Sequence, residues 1–271
     1  MTSRRWLLLI LIMAAVLRCV GIQSRSINYD DAFSFFLAQQ SLADIVRGTA
    51  ADTMPPLYYF LLHFWLQIST ELWWLRVLSI LLSLGAVGLT YTWVGGLAGT
   101  KAGLLAAAFT AVSPFQIYHA QDLRMYALLG TCQLGYFVFL GRLWQKGMPQ
   151  IRKWDWAGLI LFGTAAMYSH NLAIFGLAAA NLFLLIRREW KKLWALLGAQ
   201  VVIGLLALPW LWLVPGQVEK IQRAFWTPRP GITDVIQAVL VFTVHLPLEG
   251  VWLTLGMALS LLVLGLTVYE T

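Results

Sequence analysis

The chain has 271 residues, 60% hydrophobic and 11% charged, where a soluble domain of this size carries about a quarter charged residues. With a mean hydropathy of +0.73, that composition excludes an ordinary soluble enzyme and a disordered chain. The formal net charge of +7 normally points to nucleic acid, but so apolar a chain offers no soluble face for a duplex, and no nucleic-acid partner is expected.

Taken in chain order, Arg4 and Arg5 precede an apolar run, the charged and apolar regions of a signal peptide. No small-residue cleavage site follows, so 6–22 is expected to stay as a first membrane helix. Asp30 and Asp31 open a helical stretch to about Arg47, with Phe33, Phe36, Leu37, Leu42 and Ile45 on its apolar side. The segment 55–69 is apolar but has only 15 residues, about 22 Å as a helix. It is expected to lie at the outer surface as an interfacial or re-entrant helix. A crossing needs about 20 apolar residues, and further candidates are 74–96, 102–118, 123–144, 155–170, 172–187, 193–214 and 250–269. The run 155–187 is too long for one crossing and is divided by Ser169, His170 and Asn171. The expected fold class is therefore all-α polytopic, about eight spanning helices plus interfacial helices, in a single membrane domain over 1–271. Its outer loops lie at about 23–73 and 215–250, the second broken by Pro228 and Pro230. Cys19 and Cys132 sit in apolar runs and read as small buried hydrophobes rather than a disulfide.

Basic residues near spans stay in the cytoplasm. Arg4, Arg5, Lys101, Arg142, Lys146, Arg152, Lys153, Arg187, Arg188, Lys191 and Lys192, eleven of the 19 basic residues, then share that side. The same topology puts Asp30, Asp31, Asp44, Asp52, Glu71, Asp122, Glu219, Asp234 and Glu249, nine of the 12 acids, outside. The 14 Trp suit the many membrane–water boundaries this creates.

Three clusters stand at the outer surface. Asn28, Tyr29, Asp30 and Asp31 read as a helix cap or as a general base, since adjacent, partly desolvated carboxylates raise one another's pKa. Asp52, Thr53, Met54, Pro55, Pro56, Leu57, Tyr58 and Tyr59 read as a Pro-started amphipathic helix or as an aromatic platform for lipid or sugar. The third runs from Ser113 to Tyr126 and includes His119, Gln121 and Asp122. Its Arg124 stands where a helix enters the membrane and needs a partner. That partner is Asp122 or a carbonyl, or else a phosphate held through paired hydrogen bonds. Arg76 is a weaker phosphate candidate. His170 reads as an interface histidine or a base. The histidines lack metal-motif spacing, so no metal site is assigned.

The order of these features resembles the GT-C superfamily of glycosyltransferases, in particular family 39-like members related to protein mannosyltransferases and aminoarabinose transferases. The residues that carry the likeness are the adjacent Asp30 and Asp31, then Pro55, Pro56, Leu57, Tyr58 and Tyr59. Arg76, Val77, Leu78 and Ser79 follow, and then Ser113, Pro114, Gln121, Arg124 and Tyr126. The likeness spans about 5–187. It implies a GT-C helical bundle that transfers a sugar from a polyprenyl-phosphate carrier to an acceptor lipid, glycan or protein outside the cytoplasm. No cofactor is implied beyond that lipid-linked donor. Asp30 matches the family's base, and Arg124 matches the arginine near the donor phosphate. Asp31 stands where Glu is usual, and Met54 where His or Lys commonly precedes the prolines.

Two other classes compete. A transporter or flippase keeps ionisable groups near the bilayer midplane, whereas here Arg18 alone lies clearly within a span. A non-catalytic membrane subunit predicts no activity. Family members are usually longer, so the chain is expected to be a fragment, or a short member that works with a partner.

Overall fold

The structure, a computed structural model, describes residues 2–146, 148–223, 229–241 and 250–269. Pro228 and Glu249 lie outside the described residues. The described helices are α1 Ser3–Cys19, α2 Tyr29–Ala38, α3 Leu42–Asp52, α4 Leu57–Leu66, α5 Leu72–Ala98, α6 Thr100–Val112 and α7 Pro114–Ala120. They continue with α8 Tyr126–Gln145, α9 Lys153–Ser169, α10 Ala173–Ile186, α11 Trp190–Leu211, α12 Val214–Arg223, α13 Ile232–Leu240 and α14 Val251–Tyr269.

Seven of the expected crossings coincide with single helices, namely α1, α5, α8, α9, α10, α11 and α14. The eighth, 102–118, breaks into α6 and α7. Pro114 has no N–H to continue α6, and Ser113 caps a new helix by accepting from the Gln116 N–H at 3.4 Å. The stretch expected from Asp30 to Arg47 also divides. Ser41 accepts from the Asp44 N–H at 3.2 Å and starts α3, the competition that makes Ser a cap rather than a helix interior residue. Within 55–69 only the ten residues of α4 are helical, about 15 Å and too short to cross. Among the described residues, α5 and α11 are the two helices long and apolar enough to cross by length and composition.

The polarity of the bundle is that of a protein solvated by lipid. Arg18 on α1 is fully buried. Its Nε donates to Ser83 Oγ at 2.9 Å, and its Nη1 to the Ala111 carbonyl at 2.8 Å. Meanwhile Leu8, Ile12 and Val16 of the same helix, Phe109 of α6, and Val201 and Leu205 of α11 are exposed. Inside hydrocarbon, a charge must turn inward and be hydrogen-bonded, while apolar side chains can face out. The expectation for Cys19 is corrected here: it is exposed, and only Cys132 is buried. Successive helical residues lie about 100° apart, so turning Arg18 inward swings its neighbour out.

Glycine allows α5 and α6 to approach closely. Gly99 reverses the chain with φ +88°, and a Cβ on Gly103 would lie 2.7 Å from the Tyr91 carbonyl oxygen and 2.8 Å from the Gly95 Cα. Two polar ends result. At one, Lys146 Nζ lies 2.6 Å from Asp155 Oδ2, and Lys192 Nζ donates to the Trp144 carbonyl at 2.7 Å. The other end gathers the acids.

Candidate active site

Asn28 caps α2 by accepting from the Asp31 N–H at 2.7 Å, which fixes both acids in the first turn on different faces. Asp31 turns inward and is fully buried. Its Oδ1 accepts from the Leu123 N–H at 2.9 Å, and its Oδ2 lies 3.8 Å from Arg76 Nη2. Burial pushes the Asp31 carboxyl up, against the Leu123 hydrogen bond. Arg76 is also fully buried. Its guanidinium donates to the carbonyls of Ile22 at 2.6 Å, Arg25 at 3.1 Å and Ser26 at 3.3 Å. These placements differ from the expectation of Asp31 as a reacting acid and Arg76 as a phosphate ligand. Neither side chain has a surface a substrate can touch. Together they lock the loop before α2 and the turn before α8 in place.

Asp30 remains open, with 54% of its side chain exposed, and its Oδ2 lies 4.0 Å from Arg124 Nε. Arg124 is buried and donates from Nη1 to the Tyr59 hydroxyl at 3.2 Å. Its Nε–H has no hydrogen-bond partner. A buried donor left unpaired costs about 1–3 kcal/mol, a deficit that an anionic ligand would remove.

The turn carrying Arg124 is held by side chains on every flank. Asp122 is buried, accepts from His119 Nδ1 at 2.8 Å and is ion-paired with Arg25. The Arg25 guanidinium also lies 4.1 Å over the Tyr118 ring. Gln121 Nε2 donates to the carbonyls of Arg18 at 2.9 Å and Val20 at 2.8 Å. Ser79 Oγ donates to the Asp122 carbonyl at 2.8 Å and meets the Tyr58 hydroxyl at 3.1 Å. The partners of Asp122 are thus Arg25 and His119, leaving Arg124 to Asp30 and Tyr59. Tyr58 and Tyr59 are fully buried, so they position the turn and Arg124 rather than offering ring faces to a sugar. Tyr126 packs 4.8 Å from His119 and 6.2 Å from His170, centroid to centroid. His170 is buried, with Nδ1 accepting from the Leu172 N–H at 3.0 Å.

The segment leading into α4 closes another side. Thr53 has φ +90°, a left-handed conformation rare for a β-branched residue and a mark of strain held by its surroundings. Its carbonyl accepts from Asn171 Nδ2 at 2.8 Å, and Asn171 Oδ1 accepts from Trp210 Nε1 at 2.9 Å. Pro55 and Pro56 are buried behind it. Lys220 of α12 donates to the Ala51 carbonyl, and Gln217 Nε2 to the Ala50 carbonyl at 3.2 Å, which docks α12 onto the end of α3. Asp52 keeps an exposed edge, but partial desolvation by its neighbours raises its carboxyl; Arg124 and Lys220 oppose that shift and Asp30 adds to it. Asp30, Asp52, Arg124 and Lys220 therefore form one electrostatic cluster at this end of the bundle.

Sequence reasoning did not single out Arg25 or Lys220, gave Ser79 only as a letter in the family motif, and used Asn171 only as part of a turn. The signal for Asn171 was its place between two spans, where a polar side chain with no charge still needs a partner. Among the described residues no three His, Cys, Asp or Glu side chains gather as a metal site would require.

The family model described as dolichyl-phosphate-mannose-protein mannosyltransferase matches residues 53–212, more than half of the chain. The match takes in Asp52's neighbours, Tyr59, Arg124 and Asn171; Asp30 and Asp31 precede it. The crystal structure of ArnT from Cupriavidus metallidurans in the apo state is similar with a TM-score of 0.59 at 17% sequence identity. That similarity covers 89% of this chain and 48% of that one, so the chain spans about half the length of the protein it matches. No curated protein sequence matches the chain. The likeness to ArnT identifies the fold as the GT-C helical bundle, and with the family model it establishes that the chain belongs to the dolichyl-phosphate-mannose-protein mannosyltransferase family within the GT-C superfamily.

Proposed function

We propose that the protein is a membrane glycosyltransferase that moves a sugar from a polyprenyl-phosphate donor to an acceptor lipid, glycan or protein on the extracytoplasmic side. The observation that carries this reading is the pair formed by an exposed Asp30 and a buried Arg124, 4.0 Å apart, with one guanidinium donor unpaired. The lipid tail lies among the helices, and its phosphate reaches Arg124 at headgroup level. Asp30 takes the proton of the acceptor hydroxyl as that oxygen attacks C1 of the sugar. The bond from C1 to the phosphate oxygen breaks, and Arg124 stabilises the charge left on the departing phosphate. Attack from the face opposite the leaving group makes this a single displacement with inversion, with one carboxylate serving as base and no covalent sugar–enzyme intermediate. Polyprenyl phosphate leaves readily enough that no separate acid is needed. Asp31 and Arg76 support the geometry from behind.

The test is transfer from a panel of labelled polyprenyl-phosphate sugars by the purified full chain in lipid. Wild type is expected to turn over one of them, and Asp30→Asn, which keeps size and helix start, is expected to insert normally but lose transfer. Wild-type turnover in Asp30→Asn would falsify the base assignment. A panel in which no donor is used by wild type would overturn the enzyme reading in favour of a transport or subunit role.

A further inference from the structure

Far from the acids, a groove of about 220 Å³ runs between the ends of α5, α8 and α10. Trp93, Leu97, Phe137, Trp144, Ala179 and Phe183 form its walls, and Ala179, Phe183 and Leu97 are exposed along it. Apart from the two indole N–H groups those walls are apolar, so the groove suits a hydrocarbon chain. Trp144 has a second role. The Arg187 guanidinium lies 5.4 Å and the Lys192 ammonium 4.8 Å from its ring centroid. The same indole that walls the groove thus carries two cations at its mouth.

The acids nearby do not neutralise this end. Asp155 is taken by Lys146 at 2.6 Å and Arg142 at 3.9 Å, and Glu189 lies 3.8 Å from Lys192. Arg187, Arg188 and Lys191 are exposed and exceed the one remaining acid. Lys192 is shared with Glu189 and the Trp144 carbonyl, but Arg187, Arg188 and Lys191 leave this end with a surplus of positive charge, and an apolar slot that ends there matches an amphiphile with one anionic head and a long tail.

We propose that this groove is a binding site for an anionic glycerophospholipid of the bilayer, with one acyl chain along Trp93, Phe137 and Phe183 and the phosphate on Arg187 and Lys192. Guanidinium and ammonium groups both hold phosphate through charge-assisted hydrogen bonds, and the Trp144 ring keeps them at the depth where the tail begins. The site lies at the end of the bundle opposite Asp30 and Arg124, so it stands or falls independently of the transferase reading.

The test titrates the purified full chain in detergent with phosphatidylglycerol or phosphatidylcholine of matched acyl chains, counting bound lipid by native mass spectrometry. Phosphatidylglycerol is expected to bind at one per chain and about tenfold more tightly than phosphatidylcholine. The double variant Arg187→Gln, Lys192→Gln is expected to erase that preference, and Arg187→Lys, Lys192→Arg to keep it, which separates lost charge from lost fold. Ala179→Trp, which fills the groove from its exposed wall, is expected to weaken both lipids. Equal retention of the two lipids by wild type, an unchanged preference in the glutamine variant, or a second copy of the chain on the groove in place of lipid overturns the proposal.

Discussion

Tyr59 and Arg124 form the contact on which the donor side of the site depends. The hydroxyl accepts Arg124 Nη1 at 3.2 Å and leaves the Nε–H free for the donor phosphate. A hydrogen bond to a charged group contributes about 1.5–3 kcal/mol. Tyr59→Phe is therefore expected to raise the apparent donor KM about tenfold with acceptor use near wild type, and to lower thermal stability in the empty protein, because Arg124 Nη1 loses its buried partner. Arg124→Ala removes the cation itself and is expected to lower kcat/KM about 10²–10³-fold, in the range of losing one preorganised transition-state donor. An unchanged donor KM in both variants removes Arg124 from the phosphate. Asp52 gives a pH-dependent signature. Its folded carboxyl is pushed up from 3.8 by partial desolvation although one edge stays exposed, so the unfolded chain releases this proton first as pH rises. The stability associated with the protonated form is then lost as pH climbs from about the ordinary value through the raised one. Because Asp31 is raised in the same sense, Asp52→Asn is expected to make that fall with rising pH shallower in a melting profile rather than abolish it; an unchanged profile shows that the Asp52 carboxyl is not desolvated. At this scale the sequence announced residue types but not directions. Asp30 and Asp31 are indistinguishable as letters, and only the cap at Asn28 decides which faces solvent. Arg76 and Arg124 both stand near the start of a helix, and only the nearby carbonyls of Ile22, Arg25 and Ser26 draw one of them inward.

Elements were more legible than side-chain directions, because hydropathy and punctuation act along the chain. The runs that became α5, α8 and α11 follow from apolar length alone, and Ser169, His170 and Asn171 divided α9 from α10 as their polarity required. A serine cap marks the break at Ser41, which divides a stretch expected to be one helix, and the break at Ser113, just before the proline expected to end its span. A single serine inside an apolar or amphipathic run is neutral as composition, and acts as a cap only when its side chain reaches the N–H of the residue three further on. The approach of α5 and α6 is another feature invisible to hydropathy. It depends on Gly103, where any Cβ meets the Tyr91 carbonyl oxygen at 2.7 Å and the Gly95 backbone at 2.8 Å. Backbone cannot yield as a flexible side chain can. Gly103→Ala is therefore expected to destabilise the bundle by about 1–3 kcal/mol, the usual range for overpacking. Gly88→Ala, with nothing within 4 Å of the new Cβ, is the control, expected to melt as wild type does. Equal melting of the two variants in detergent would show that α5 and α6 are not packed this closely.

For the whole molecule, orientation follows from charge rather than from packing. Eleven basic residues and nine acids can be sorted onto two sides only if α4 does not cross. The ten residues of α4 fit that requirement. So do its anchors: His63 Nδ1 bonds the Ala38 carbonyl at 2.8 Å, and Trp65 stacks on Trp74 at 4.6 Å, tying it to α2 and α5 at the same end. The end defined by Lys146, Asp155 and Lys192 should then be cytoplasmic, with Asp30 and Arg124 opposite. A single crossing by α4 would reverse the side of every later loop, so a pair of reporters tests the arrangement. Cysteines introduced at Ser41 and at Gln150, in a Cys19→Ser, Cys132→Ala background, should react with a membrane-impermeant thiol reagent in intact cells at the first position only. Labelling at Gln150 alone inverts the molecule and moves the site to the cytoplasm. Labelling at both positions means that α4 crosses and that the charge bias fails. Either result would overturn extracytoplasmic transfer even if Asp30 and Arg124 remained essential for activity.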